Sequence, residues 1–485
     1  MNTFLDQKRW QDKVLLNGWQ AADSTAAVID KATGEQIGSI GIASAATVAK
    51  AAAVARAAQP GWFTMPYEER AAIFRKAARL VEENFDELAT WIMRESGAIR
   101  PKADVELKAA IGILHESAGM PTEPQGLMLP SNSGRMSFAR RVPHGVVGVI
   151  APFNFPLILA IRAVSPALAT GNCVLLKPDT RTAVVGGVLI ARIFEEAGLP
   201  PGVLSMLPGG ADAGSMLCTD PNVAMVAFTG STNVGRTVGE LCGRHLKKVS
   251  LELGGKNSMV VLDDADIDLA AGCAAFGAWL HQGQICMATG RILVHESIAD
   301  SLIQNLVEKA NHLPVGDPMS GTVALGPIIS DGQLKQIDSI VKDSVAAGAQ
   351  LLAGGIHDKL FYRPTVLGNV KPGMRAFDEE IFGPVAAVVT FRNDDEAVEL
   401  ANATEYGLSA AVISRSVGRA LALGNRLNTG LLHINDQTVA DEPHVPFGGR
   451  GASGNGGRVG GPANWEEFTQ WQWVTIKDVP PNYPF

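Results

Sequence analysis

Cys286 is the residue whose type and position first indicate chemistry. It lies in the glycine-containing segment 281–287, directly after an apolar helical stretch predicted to end at Leu280. A glycine loop at a helix end can expose a thiol, and a thiolate is a nucleophile. A free cysteine is also a common inert core residue. The apolar or helical neighbours of the other cysteines favour that second interpretation for Cys173, Cys218, Cys242 and Cys273.

A carboxylate and an amide occupy equally unusual surroundings. Glu252 interrupts an apolar strand predicted over 249–253, which runs into a glycine pair. Because burying an unpaired charge is costly, Glu252 is either part of a salt bridge or a base with a raised pKa. Asn154 lies between two prolines in the segment 152–156, as either a turn former or an oxyanion donor. A thiolate, an amide donor and a base together could attack a carbonyl carbon and hydrolyse the product.

The segment 228–236 could bind an anion. It follows an apolar strand and opens a predicted helix, so backbone N–H groups at the helix N-terminus are free to face a phosphate. A turn that binds nothing is the alternative. Arg236 replaces the lysine of a P-loop, which argues against a nucleoside triphosphatase. A formal Gly-x-Gly-x-x-Gly at 449–454 precedes more glycine instead of a helix, so it is interpreted as a flexible or tightly turned segment.

The elements around these residues predict an α/β architecture. Helices are predicted early in the chain: Ser44 caps one over 45–59 that Pro60 stops, a second begins at Pro66, and a third ends at Gly97. Short apolar runs then alternate with helical stretches, as in a parallel sheet covered on both faces. The predicted strands are 146–151, 173–177, 203–207, 224–229, 249–253, 259–262, 292–294 and 385–391, with helices at 267–280 and 298–310.

Two further patterns concern organisation. A boundary between two α/β units is predicted near residues 254–255. The segments 135–142 and 468–476 alternate residue types with a period near two, which predicts half-exposed strands that pair with each other or across subunits. The chain contains no internal repeat, which argues against a solenoid.

The composition of the whole chain excludes several classes of protein. The 485 residues suffice for roughly three structural units. With 46% hydrophobic and 19% charged residues, disorder is excluded as the dominant state. A net charge of -8 indicates no nucleic-acid partner. The sequence predicts no membrane span and no signal peptide. Five cysteines without Cys-x-x-Cys or zinc-type spacing predict free thiols, no metal and a cytoplasmic location.

The motifs, in their order along the chain, resemble those of the NAD(P)-dependent aldehyde dehydrogenases over essentially the whole length. They are PFNFP at 152–156, KP at 177–178, FTGS at 228–231, LELGGK at 251–256, GQIC at 283–286, EEIFGP at 379–384 and PFGG at 446–449. Within that family the segments 433–437 and 442–446 and the tail 482–485 are most similar to the bacterial benzaldehyde dehydrogenase branch.

The resemblance implies a fold and an assembly. The expected fold is α/β and aldehyde dehydrogenase-like, with a variant Rossmann-type cofactor domain at 1–123 and 143–254, an α/β catalytic domain at 255–446 and a small β oligomerisation arm at 124–142 and 467–485. This variant cofactor domain lacks the dinucleotide fingerprint, which explains why none was found in a suitable context. The resemblance also implies a homodimer or homotetramer.

The resemblance further implies roles for individual residues. Cys286 would be the nucleophile, Asn154 and the backbone N–H of Cys286 the oxyanion hole, and Glu252 the general base. The implied cofactor-binding positions are Lys177 and Glu380 for ribose hydroxyls, Gly230 and Ser231 for the pyrophosphate, Phe382 near the nicotinamide ribose, and Thr180. The candidates for the substrate pocket are Phe155, Arg162, Ile285, Met287 and His444.

Three positions depart from the pattern of the family. Thr180 stands where many NAD-preferring members have a glutamate, which leaves NADP as an alternative to NAD. Val459 stands where many members have a glutamate thought to relay protons, so that role is in doubt here. Arg162 takes the place of a pocket tryptophan found in many members that oxidise aliphatic aldehydes.

The activity implied by the resemblance is NAD(P)-dependent oxidation of a benzaldehyde-like aromatic aldehyde to the carboxylic acid, through a cysteine thiohemiacetal and a thioester. Glu252 favours water over coenzyme A as the acyl acceptor. The alternatives are a dehydrogenase for another aldehyde, of the vanillin or salicylaldehyde type or an aliphatic semialdehyde, and a cofactor-binding protein without turnover.

Overall fold

The apolar runs predicted as buried strands form two seven-stranded sheets in the computed structural model, which describes residues 3–132, 134–480 and 482–485. The four remaining positions, 1, 2, 133 and 481, belong to the predicted cofactor domain and arm segments and lie outside the described residues. The first sheet precedes residue 253 in the chain, and the second begins at residue 257. The chain therefore passes between the sheets at the glycine pair 254–255, where the sequence predicts a boundary.

The first sheet is mostly parallel because helices connect its central strands. Five strands run parallel, and an antiparallel hairpin from the N-terminus completes one edge. In spatial order the strands are Lys248–Glu252, Met225–Thr229, Val146–Ile150, Cys173–Lys177, Leu204–Met206, Lys13–Leu15 and Trp19–Ala21.

The second sheet is parallel except at one edge strand. Apolar clusters cover both of its faces, with Val260 and Leu293 in one cluster and Met259 and Ile292 in the other. This alternation of buried residues accounts for the nearly continuous apolar runs in the sequence. In spatial order the strands are Gln350–Ala353, Thr365–Gly368, Val385–Phe391, Thr289–His295, Asn257–Val261, Ser409–Ile413 and Leu431–Ile434.

Helices cover both sheets, and short strand pairs complete the fold. The helices of eight or more residues are Ala45–Thr64, Tyr67–Glu83, Phe85–Ser96, Arg100–Gly119, Pro156–Ala169, Leu189–Ala197, Ala211–Thr219, Thr232–Arg244, Ile267–Trp279, Ala299–His312, Asp331–Ala346, Asp394–Asn402 and Val417–Gly424. Shorter helices are Gln7–Trp10, Arg375–Asp378 and Ala463–Phe468. The antiparallel pairs are Ser24–Ile29 with Gln36–Ile42, His357–Asp358 with Phe361–Tyr362, and Tyr406–Gly407 with Arg450–Gly451.

The first long helix corrects one prediction. Ser44 caps it as expected, but the helix continues through Pro60 to Thr64. Pro60 lies in the last turn, where the missing N–H removes only one intrahelical hydrogen bond. The extra turn buries Trp62, whose indole N–H donates to the carbonyl of Leu168 at 3.0 Å. Burial of a tryptophan offsets the cost of the proline.

The two alternating segments pair with each other, as one of the two predicted options proposed. Met136–Pro143 and Thr469–Ile476 form an antiparallel ladder, and Gly126–Met128 adds a third strand. In the described parts of the chain, no helix combines the length and the apolar character needed to cross a membrane.

Candidate active site

The predicted motifs meet at one edge of the first sheet because that sheet is parallel. Ile150 lies beside Lys177 and Phe228 in register, and Thr229 lies beside Glu252. The segments that follow these strand ends therefore emerge together. The crevice beyond the carboxyl ends of parallel strands is the usual ligand site of open α/β sheets.

A left-handed turn presents Cys286. His281, Gln282 and Gly283 have φ values of 49°, 57° and 66° in succession. Such a conformation costs free energy at residues other than glycine and persists only where the surroundings enforce it. The side-chain amide of Gln282 supplies part of that enforcement by donating to the carbonyls of Gly97 at 3.1 Å and Pro327 at 2.8 Å.

Asn257 holds the backbone of Cys286, and the sequence did not predict this role. Its side-chain amide donates to the carbonyl of Cys286 at 2.8 Å and of Ala288 at 2.9 Å. Its Oδ1 accepts from the backbone N–H of Ser409 at 2.9 Å. A buried amide at the first residue of the strand Asn257–Val261 is the signal that could have revealed it, because buried polar groups need partners.

The Cys286 thiol is half-buried, and its surroundings disfavour the thiolate. Burial raises the pKa of Cys286 to about 12, with the carboxylates of Glu380 and Glu252 contributing in the same direction. To act as the predicted nucleophile, Cys286 therefore needs a proton acceptor, since burial alone keeps the thiol protonated.

Asn154 lies near Cys286, after the end of a strand of the first sheet. It follows the strand Val146–Ile150, precedes the helix Pro156–Ala169, and is buried. The start of that helix is held by Glu106, whose carboxylate accepts from the N–H groups of Leu157 at 2.8 Å and Ile158 at 3.3 Å. Asn154 is thus placed by a strand end on one side and a fixed helix start on the other.

Two cavities meet at Cys286, and both are lined by Asn154, Leu159 and Cys286. The first has a volume of about 210 Å³, and its lining is mainly apolar. Four of the five predicted pocket residues line it, namely Phe155, Arg162, Ile285 and Met287, together with Pro101, Lys102, Val105, Ala109, Ile158, Phe276, Leu280, Val439, Asp441, Glu442, Pro443 and Phe447.

His444, the fifth residue predicted for the pocket, is not among the residues that line the first cavity. Its side chain is exposed and lies 3.2 Å from the Glu442 carboxylate instead of lining the cavity. The residues just before it, Asp441 to Pro443, line the cavity instead.

The two cations that line the first cavity are both paired with carboxylates. The buried Arg162 forms an ion pair with Asp441 and lies over the ring of Phe447, 4.7 Å from its centroid. Lys102 forms a buried ion pair with Glu106 and stands 4.2 Å from the ring centroid of Phe155. The cavity therefore offers apolar and aromatic surface with its positive charges offset.

The second cavity, of about 190 Å³, contains four of the predicted cofactor residues. Gly230 and Ser231 form its turn at the start of the helix Thr232–Arg244. Ser231 makes no side-chain capping bond, so the first N–H groups of this helix are free for an anion.

Glu380 and Phe382 line the opposite wall of the second cavity. Glu380 accepts from the N–H of Gly255 at 3.0 Å, and burial raises the pKa of its carboxyl to about 7. Phe382 packs edge-on against Phe153 with ring centroids 5.8 Å apart. Lys177 and Thr180 lie at the same sheet edge but outside the lining of this cavity.

Glu252 lines a small third cavity of about 20 Å³, which shares Arg162 and Phe447 with the first. Neither carboxylate oxygen has a hydrogen-bond partner among the described residues. Burial raises the pKa of Glu252 well above its ordinary value, against the opposing charges of Arg458 and Arg162. Glu252 forms no salt bridge within the described chain, which argues against the structural alternative.

Comparison with known proteins identifies the family. Residues 19–474 match the model of the aldehyde dehydrogenase family. The chain belongs to the aldehyde dehydrogenase family. The predicted resemblance is confirmed, as is the α/β fold class, and the protein is an oxidoreductase of this family.

Individual aldehyde dehydrogenases match over nearly the whole chain. This chain is 53% identical to a vanillin dehydrogenase of Amycolatopsis sp. over 485 residues, and the alignment covers 100% of both chains. It is 51% identical to a benzaldehyde dehydrogenase [NAD(+)] of Pseudomonas putida over 482 residues, covering 99% of both. A solved structure of a Pseudomonas putida salicylaldehyde dehydrogenase complexed with salicylaldehyde superimposes with a TM-score of 0.94 at 35% identity, covering 98% of this chain and 99% of that one.

Proposed function

We propose that this aldehyde dehydrogenase oxidises an aromatic aldehyde to the carboxylic acid with NAD or NADP. The observation that carries the proposal is the meeting of the two cavities at Cys286 and Asn154. One cavity suits an apolar ring and the other a dinucleotide, and the reacting carbon would lie between them. The relatives named for vanillin and benzaldehyde oxidation support the same substrate class.

The charges of the first cavity favour a neutral aromatic substrate over an aliphatic semialdehyde with a carboxylate. Such a carboxylate needs an unpaired cation, whereas Arg162 and Lys102 are engaged by Asp441 and Glu106. A planar ring would pack instead against Phe155, Leu159 and Phe447. The volume of about 210 Å³ accommodates a ring with small substituents.

The second cavity fits a nicotinamide dinucleotide. Uncapped N–H groups at Ser231 suit a pyrophosphate, and the carboxylate of Glu380 can accept hydrogen bonds from ribose hydroxyls. Lys177 would hold the adenosine ribose from the neighbouring strand end. Asp179 beside Thr180 is held by Arg181, at 2.6 Å between Oδ2 and Nη2, so its charge is offset there. NADP is therefore retained beside NAD as a cofactor.

Cys286, Asn154 and Glu252 each take a different part in the proposed reaction. Cys286 loses its proton to a base and forms a C–S bond to the aldehyde carbon, and Asn154 with the N–H of Cys286 donates to the resulting oxyanion. A nicotinamide held by the residues of the second cavity would supply the acceptor for the hydride that leaves that carbon. Glu252 then takes a proton from a water molecule as the oxygen of that water attacks the thioester carbon. The C–S bond breaks with its electron pair returning to the sulfur of Cys286, and the carboxylic acid leaves.

We also infer a homodimer or homotetramer assembled through the three-stranded sheet, and a cytoplasmic location. The exposed apolar residues of the sheet support the assembly. The five free cysteines support a reducing compartment.

Initial rates over a panel of aldehydes test the proposed function. Benzaldehyde, vanillin, salicylaldehyde and succinic semialdehyde are each compared with NAD and NADP, with Cys286→Ala as the inactive control. We expect kcat/KM for at least one aromatic aldehyde to exceed that for the semialdehyde by about tenfold or more, since one missing hydrophobic contact costs roughly 1–3 kcal/mol. A preference for the semialdehyde, or NADH formation by Cys286→Ala, would overturn the proposal.

A further inference from the structure

A second buried carboxylate lies behind Glu252 and has no role in the chemistry described so far. Glu467, on the helix Ala463–Phe468, has only 7% of its side chain exposed. Its Oε1 has no hydrogen-bond partner among the described residues. Burying a carboxylate in this way is costly, so its position calls for a physical reason.

The strand that carries Glu252 links the two carboxylates. Residues 248, 250 and 252 share one face of the strand Lys248–Glu252, because side chains alternate along a strand. Ser250 lines the small cavity together with Glu252. A Cβ added at Gly457 would lie 2.9 Å from the Ser250 hydroxyl and 3.2 Å from Glu467 Oε2, so both oxygens converge on this glycine.

We propose that Ser250 and Glu467 relay the protons that Glu252 collects, passing them towards Lys248 and the solvent. Ser250 acts by accepting a proton from one side while donating its own to the other. The small cavity of about 20 Å³ has room for one water between Glu252 and Ser250. This proposal rests on the proposed function.

The charged groups around Glu467 suit a carboxylate that accepts a proton and then releases it to solvent. Lys248 Nζ lies 3.8 Å from Glu467 Oε1, and the lysine side chain is one-third exposed. Its positive charge opposes the burial that raises the pKa of Glu467. The backbone of Arg458 and the more distant charge of Glu252 also face this region, and the ring of His144 meets the backbone carbonyl of Glu467 at 3.2 Å.

Several other side chains that line the cavity of Glu252 are apolar. Val459 lines that cavity and cannot carry a proton, and Phe447 closes the wall beside it. Ser250 is the lining residue that connects Glu252 to a second buried carboxylate.

The relay must carry away the proton that each turnover leaves on Glu252. In each turnover the Cys286 thiol gives up a proton and takes one back when the C–S bond breaks, so the net proton left on Glu252 is the one from the attacking water, and Glu252 must be deprotonated again before it can accept the next. A proton leaves Glu252 for the cavity water, that water protonates Ser250 as Ser250 gives its own proton to Glu467, and Glu467 releases it to solvent beside Lys248. No group is oxidised or reduced in this step.

The test separates the first turnover from later ones by stopped-flow detection of NADH in Glu467→Gln and Ser250→Ala. We expect the first turnover at the wild-type rate and later turnovers slowed roughly tenfold, less than the 10²–10⁴-fold of a base acting directly. Ser250→Thr, which keeps the hydroxyl, should restore most of the later turnover. If Glu467 and Ser250 had only structural roles, the substitutions would slow the first turnover and the later turnovers alike.

Glu466→Gln is the matched control. Glu466 is the neighbouring carboxylate, is 68% exposed and pairs with Arg141, so its loss should change neither phase. Later turnovers at the wild-type rate in both Glu467→Gln and Ser250→Ala, or an equal loss in both phases, overturn the relay alone. Absence of NADH in the wild-type enzyme itself overturns the proposed function and the relay with it.

Discussion

At the scale of residues, the proposed nucleophile and the proposed base both lie in surroundings that raise the pKa of their side chains. Cys286 is held by Asn257 and by a left-handed turn, and Glu252 stands without a hydrogen-bond partner in the described chain. A desolvated carboxylate is a stronger base, and a desolvated thiol is harder to ionise. The two effects together favour proton transfer from Cys286 towards Glu252 over spontaneous thiolate formation.

The reaction should therefore speed up with increasing pH. Burial and nearby carboxylates raise the pKa of Cys286 to about 12 and raise that of Glu252 above its usual range, so both reactive, deprotonated forms grow as pH rises. We expect kcat/KM for benzaldehyde at saturating NAD to increase steadily from about pH 6 to about pH 9. A flat or falling profile, in enzyme that regains full activity at neutral pH, would contradict this assignment.

Asn154→Ala tests the oxyanion donor. Removing one preorganised donor typically lowers kcat by about 10²–10³-fold, and the buried position of Asn154 predicts a loss in that range. Steady-state rates and NAD affinity are measured together, because Asn154 also lines the cavity proposed for the cofactor and a loss of kcat must be separated from a loss of binding. Wild-type turnover in Asn154→Ala would remove this residue from the oxyanion hole.

The sequence was informative about individual residues and uninformative about their distant partners. Cys286, Glu252 and Asn154 were predicted as site residues because each is unusual among its immediate neighbours. The ion pair of Arg162 with Asp441 was not, since 279 positions separate its members and no local pattern connects them. His444, which does not line the first cavity, shows the same limit: a motif predicts which residues occur together, and it does not predict which side chains line a cavity.

At the scale of elements, the helix Pro156–Ala169 connects stability to the site. It follows Asn154 and carries Arg162, and Glu106 of the preceding long helix holds its first turn. Pairing with Lys102 offsets the buried charge of Glu106. The sequence correctly predicted most of these helices and strands to within a few residues, whereas the continuation through Pro60 depended on the tertiary burial of Trp62.

Glu106→Ala should destabilise the protein by about 3–5 kcal/mol, because it leaves Lys102 buried and unpaired and frees two helix N–H groups. Urea denaturation followed by tryptophan fluorescence measures this loss, and Glu116→Ala, an exposed carboxylate on the same helix, is the control. The pair Lys102→Met with Glu106→Gln should recover much of the stability, since Gln still accepts from the helix. A loss of under about 1 kcal/mol in Glu106→Ala would contradict this role.

At the scale of the whole molecule, the three-stranded sheet exposes an apolar face beyond either large sheet. Trp471 is 46% exposed and Trp473 is 63% exposed, on the same face of the edge strand Thr469–Ile476. Leu127 is exposed on the same face of the sheet, whereas Met128 and Met136 are exposed on the opposite face. An unpaired edge strand with large apolar side chains is typical of a surface that another chain covers.

Changing both tryptophans to glutamate should dissociate the assembly. Sedimentation of wild type should give a dimer or tetramer of the 51.0 kDa chain, and Trp471→Glu with Trp473→Glu should sediment near the mass of one chain. Leu246→Glu changes a 94% exposed residue elsewhere and should leave the assembly intact. A monomeric wild type, or a double variant that stays assembled, would contradict the inferred interface.

The central claim is that Cys286 carries the acyl group and that Glu252 activates the water that removes it. Glu252→Gln, mixed with benzaldehyde and NAD and then quenched, tests this by intact-mass and peptide mass spectrometry. We predict that one benzoyl group accumulates on Cys286 of each Glu252→Gln chain, with or without the additional change Cys273→Ala. The acylation itself should be slower than in wild type, because Glu252→Gln also removes the acceptor of the thiol proton. An unmodified Cys286 together with continued steady turnover in Glu252→Gln would contradict the account.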